Sequence, residues 1–160
     1  MRFTLIKNIT QDTLMVPILS GLLLFSLLYL VADVAVKYSG FGLFKESINL
    51  TLFGDEEQFI DPLTSSSFLE FWHMEIFFIM MLLFTLSALY IRLSHAGKAD
   101  LIIVNTTMLS AFGTLVFLFV SFYTSVNLLE LYVACFFLWH ILAVYMSIYS
   151  LWRLHCDTGI

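Results

Sequence analysis

The fold class this sequence predicts is all-α. It reads as a polytopic membrane protein, a four-transmembrane-helix up-down bundle with a short amphipathic helix in the outer 38–67 connection. Three observations predict it. Of 160 residues, 61% are hydrophobic and 12% charged, against roughly 25% charged in a soluble domain, so most of the surface must face lipid. The apolar residues fall into four runs near 14–37, 68–94, 101–124 and 128–153, each long enough to cross roughly 30 Å of hydrocarbon. Helix-capping residues stand at the ends of those runs. Residues 1–160 read as a single membrane domain.

Each element has its own boundary chemistry. Asp12 is placed to cap the first helix. The run Leu14 to Val36 follows Arg2 and Lys7 but exceeds the roughly 7–15 apolar residues of a signal peptide, so it is expected to stay as a membrane helix. In the connection that follows, Phe44, Ile48 and Leu52 recur every fourth residue with Lys45, Glu46 and Asn49 between them. That spacing predicts a short helix, lying either on the membrane surface or packed over the bundle. Ser67-Phe-Leu-Glu70 has the form of a capping box for the second long helix, and Gly97 is placed to end it in a left-handed turn. Asp100 is expected to cap the third helix. Asn127-Leu-Leu-Glu130 is a box-like start for the fourth. The 94–100 and 124–128 links are short, so neighbouring helices run antiparallel.

Charge sets the expected orientation. Arg2, Lys7, Arg92, Lys98 and Arg153 gather on one side, and only Lys37 and Lys45 on the other. The excess of Lys and Arg marks the cytoplasmic side, which puts both termini in the cytoplasm and the acidic 38–67 connection outside. The net charge of −5 argues against a nucleic-acid partner, which calls for a basic face. Cys135 and Cys156 are 21 residues apart along a helix, about 30 Å, too far to bridge. On the third helix Thr106, Ser110 and Gly113 form a stripe of small residues adjoined by Thr114, and the fourth has Ala143 and Ser147. Small residues let helix backbones approach closely.

Ionisable groups inside the runs are the candidate functional residues, because charge at that depth is expensive. Asp33 can pair with Lys37 at i+4. Glu70 and His73 share a helix face at i,i+3, the E-x-x-H spacing of carboxylate di-metal bundles; they are the candidate metal ligands, though one such motif is half of what that site needs. His73 and His140 are the two intramembrane histidines and so the candidate axial ligands of a b-type haem, or the neighbours of a quinone, although their expected depths differ by about 10 Å. Asp33, His73 and Glu75 together could serve a proton or ion pathway from the outer side. Glu75 lies beyond any capping role, with Tyr132 and Asp33 as its expected partners at similar depth. No Gly-rich phosphate loop, G-x-S-x-G or H-E-x-x-H motif occurs, so hydrolytic chemistry has no support.

The layout resembles, in architecture, small four-helix subunits of bacterial inner membranes. The expected role is a non-enzymatic accessory or assembly subunit in that membrane, self-associating or joined to other membrane subunits. The alternatives are a redox subunit binding haem b or quinone, and a proton or ion pathway component.

Overall fold

A computed structural model describes residues 14–94, 97–124 and 126–156. Five α-helices follow one another: α1 (Met15–Gly40), α2 (Lys45–Phe53), α3 (Ser65–Leu93), α4 (Lys98–Tyr123) and α5 (Leu129–Cys156), the last entered through a 3-10 turn at Val126–Leu128. Four of them are long and apolar enough to cross a membrane, and no strand occurs among the described residues. α5 is the central element and packs against α1, α2, α3 and α4.

The helix ends differ in detail from the sequence expectation. α3 starts before Ser67: Thr64 is its N-cap, and its hydroxyl accepts the Ser67 N–H at 3.2 Å. Pro62, just upstream, sits outside the helix where its missing N–H costs nothing. Gly97 does not end α3. It has φ −73° and is the N-cap of α4, whose Asp100 carboxylate reaches back to accept the Gly97 N–H at 3.0 Å. α3 ends instead at Ser94, whose N–H bonds the Tyr90 carbonyl at 2.8 Å. α1 runs to Gly40, and the Lys37 carbonyl takes the N–H groups of both Phe41 and Gly42, at 3.0 and 2.7 Å. Gly42 has φ +93°, a left-handed conformation that suits glycine. The expected Asp12 cap lies outside the described residues.

α2 is not a free surface helix. Its Ile48 and Leu52 are buried in a cluster with Phe41, Phe68, Leu118, Leu129 and Tyr132, so it closes one end of the bundle. Lys45 ties it to α5 through Glu130 at 2.6 Å, a partly exposed pair. Beyond Gly54 the chain makes a tight turn. Asp55 and Ile60 exchange two backbone hydrogen bonds, at 2.9 and 3.0 Å, and the Asp55 carboxylate accepts the Glu57 N–H at 2.8 Å. The acidic run thus shapes a turn.

A second cluster fills the middle of the bundle, built from Leu23, Leu30, Ile79, Leu83, Leu86, Tyr90, Val104, Ala111, Trp139, Ala143 and Met146. α1 contributes only one narrow stripe to the interior, with Leu23, Ser26, Leu30 and Lys37 buried. Phe25, Leu28, Val31 and Val36 on its other faces are exposed, as are Phe84, Leu109, Phe112 and Ile141 elsewhere. A continuous apolar exterior is what a lipid solvent demands. The small residues of α4 and α5 are used inside the chain. Thr107, Ser110 and Thr114 are buried and return their hydroxyls to the carbonyls of Ile103, Thr106 and Ser110. A Cβ on Gly113 would lie 3.1 Å from the Cys135 sulfur. That close approach is how α4 and α5 pack without a bulky seam.

Candidate functional site

Four charged or titratable side chains from three helices meet inside the bundle. Lys37 of α1 sits at the centre. Its ammonium donates to both oxygens of Asp33, at 2.8 and 3.0 Å, and to Glu75 of α3 at 2.8 Å. Asp33 uses its second oxygen again, 3.0 Å from Nε2 of His140 on α5. The other ring nitrogen of His140 lies 3.0 Å from the Phe136 carbonyl. Lys37 also stands over the Phe136 ring at 5.1 Å, within cation–π range. Side-chain exposure is 4% for Lys37, 9% for Asp33, 14% for Glu75 and 6% for His140. Tyr29 and Tyr132 lie within electrostatic reach of both carboxylates.

The depth follows from helix rise. Asp33 is seven residues from the end of α1, Glu75 ten from the start of α3, and His140 eleven from the start of α5. At 1.5 Å per residue these are about 10–16 Å below the α2 end of the bundle, within the hydrocarbon. The α2 cap, with Phe41, Phe68 and Tyr132, covers the cluster on one side, and the Leu30–Ile79–Leu83 layer lies on the other.

The arrangement has a defined charge count. Two acids and two bases sum to zero when both bases are protonated, and to −1 when one proton is lost. An isolated charge in the bilayer centre costs roughly 2.5–3.5 kcal/mol on insertion scales; pairing within hydrogen-bond distance removes the reason to exclude it. Both nitrogens of His140 face oxygen acceptors. An imidazole has one acceptor nitrogen when neutral and two donors when charged. The hydrogen between Nε2 and Asp33 therefore belongs either to the ring or to the carboxyl, across a single 3.0 Å contact.

Asp33, Glu75 and His140 are brought together, and Lys37 is the residue that joins them. Lys37 is legible as an i+4 partner of Asp33 but not as the ion pair of Glu75, which replaces the expected Tyr132 and Asp33. His73 is not part of the cluster. It lies two residues, about 200°, around α3 from Glu75 and is exposed. His73 and His140 do not face a common centre, and both His140 nitrogens already have partners, so the pair does not form a bis-histidine haem site in this structure. Glu70 and His73 are both exposed, and neither forms a hydrogen bond or ion pair among the described residues. No group of three or more His, Cys, Asp or Glu side chains is gathered for a metal ion there either.

The family model described as Aq_1264_TM, a transmembrane helical domain, matches residues 42–158. That stretch holds α2 to α5, with Glu75 and His140; α1, which supplies Asp33 and Lys37, precedes it. No curated protein and no solved structure matches the chain. With four apolar helices and a family match over most of its length, the chain is a multi-pass membrane protein and belongs to the Aq_1264_TM family of transmembrane helical domains.

Proposed function

We propose that this chain is a non-enzymatic subunit of a bacterial inner membrane, self-associating or joined to other membrane subunits, whose operative part is a proton-exchanging site inside the bilayer. The observation that carries the reading is the Asp33–His140 contact at 3.0 Å, backed by Lys37 and Glu75. Ionisable groups that face the interior of membrane helices and pair with one another are the parts from which proton relays are built. Here an acid and an imidazole compete for one hydrogen, and a fixed ammonium holds the remaining charge near zero. The role belongs to Asp33, His140, Glu75 and Lys37, with His73 outside it. Arg92, Lys98 and Arg153 at the end opposite α2 support cytoplasmic termini.

The test is infrared difference spectroscopy of the protein in lipid nanodiscs between acidic and alkaline pH. Wild type is expected to show a carboxyl C=O difference band that shifts in deuterium oxide. Asp33→Asn is expected to lose or displace that band. A wild-type spectrum with no carboxyl change across the range would overturn proton exchange and leave a static ion cluster.

A further inference from the structure

α4 turns one carboxamide toward the lipid. Asn105 is exposed, and its side chain forms no hydrogen bond among the described residues. It stands seven residues past Lys98, the first residue of α4, about 10 Å along the helix axis. The helix has 26 residues and is about 39 Å long, so about 4–5 Å of it extends beyond roughly 30 Å of hydrocarbon at each end. Asn105 then lies about 6 Å inside the hydrocarbon. No water is there to bond its amide, and asparagine lacks the long stem by which lysine reaches back to the interface. An amide without a hydrogen-bond partner is unfavourable in an apolar medium. The residue therefore calls for a partner from outside this chain.

Its neighbours supply a register. Ile102, Leu109 and Phe112 are exposed as well. From Lys98 through Ile102, Asn105 and Leu109 to Phe112 the steps are four, three, four and three. Steps of that kind make a seam of period 3.5, along which two helices wind about each other, and a single asparagine on such a seam fixes register and strand number. The apolar members alone name no partner, because lipid tails are as apolar as leucine. We infer that this face joins two copies of the chain, α4 against α4, with the two Asn105 carboxamides hydrogen-bonded to each other. The inference deepens the self-association proposed above and stands apart from proton exchange.

Symmetry and hydrogen-bond complementarity select the second copy. Copies inserted in one membrane share an orientation, so a two-fold axis along the membrane normal relates them and their α4 helices run parallel. Equivalent residues then lie at equal depth, and a residue facing the axis meets its own counterpart. A carboxamide has two N–H donors and an acceptor oxygen, which makes it complementary to itself. A different subunit would need a polar group placed at that depth, whereas a second copy brings one by symmetry.

The test dilutes donor-tagged and acceptor-tagged copies stepwise into phosphatidylcholine vesicles, where energy transfer gives the dimer fraction at each protein-to-lipid ratio. Wild type is expected to dimerise. Asn105→Leu, an exchange that suits a lipid-facing position, is expected to weaken dimerisation by about three- to tenfold, because interhelical hydrogen bonds in bilayers are individually modest. Asn105→Gln keeps the carboxamide and should fall between the two. A second measurement needs no substitution. Copies labelled only with nitrogen-15 are mixed with copies labelled only with carbon-13, and magic-angle-spinning NMR is expected to correlate the Asn105 side-chain nitrogen with the Asn105 Cγ, a contact that can arise only between copies. Dimerisation unchanged in Asn105→Leu, or a dimer without that correlation, would overturn the interface and leave self-association standing. Energy transfer no greater than chance at every ratio would overturn both, leaving the chain joined to other subunits. The infrared carboxyl band reports on proton exchange separately in either case.

Discussion

Removing the charge of Lys37 is the sharpest perturbation of the structure. Lys37→Met keeps most of the side-chain length and apolar stem but deletes the ammonium. Asp33 loses two contacts, at 2.8 and 3.0 Å, and Glu75 loses its 2.8 Å partner. With Lys37 only 4% exposed, water does not replace what is lost. Deleting one partner of a buried ion pair costs about 3–5 kcal/mol, because the other charge is left uncompensated. Two carboxylates share that fate here, and taking up a proton relieves one of them. The deficit is therefore expected to be largest at alkaline pH and to narrow on acidification. Reversible unfolding in mixed lipid–detergent micelles, followed by circular dichroism, measures it. Lys45→Met is the internal control: its pair with Glu130 is solvent-accessible, exposed ion pairs contribute little, and no measurable change is expected. A Lys37→Met loss no larger than that of the control, or one independent of pH, would refute the reasoning.

Glu75→Gln retains a hydrogen-bond acceptor for Lys37, whereas Glu75→Leu retains none, so folded yield and thermal midpoint are expected to fall in the order wild type, Gln, Leu; equal behaviour of the two variants would remove the role given to the Lys37–Glu75 bond. Leu52→Ala empties a site that is 1% exposed beneath the α2 cap and should cost about 2–5 kcal/mol, with hydrogen exchange rising first across α2; unchanged exchange there would show that the cap does not depend on this side chain. Reporter fusions after His155 and within Thr51–Asp61 are expected to place the first in the cytoplasm and the second outside, and a periplasm-active reporter working at the C-terminus would reverse the orientation.

The helices are legible in the sequence because lipid leaves their composition little freedom. Runs of apolar residues, interrupted by Asp, Gly and Ser at the ends, locate α1, α3, α4 and α5 to within a few residues. The caps are harder to assign, because Thr64, Ser67, Gly97 and Asp100 are all competent and only backbone geometry chooses among them. Three residues of the candidate site stand out in the sequence as ionisable groups too deep for capping. Their association does not. The sequence places Asp33 about one turn from the end of α1, but the helix runs to Gly40, which brings Asp33 down toward His140. Lys37 reads first as a marker of sidedness, since a lysine near a helix end usually reaches outward to the interface. It turns inward because Glu75 waits on the neighbouring helix, and no one-dimensional spacing carries that fact. His73 draws attention by residue type, while the 200° between it and Glu75 is the signal that it faces elsewhere.

The central claim is that one ammonium, two carboxylates and one imidazole meet within the bilayer. Magic-angle-spinning NMR of uniformly labelled protein in lipid bilayers tests it without mutation. The expected spectrum correlates the Lys37 Nζ with the side-chain carboxyl carbons of both Asp33 and Glu75, and the His140 Nε2 with that of Asp33. A Lys37 Nζ correlated only with water or lipid phosphate, together with a His140 ring that shows no contact to Asp33, would contradict the account.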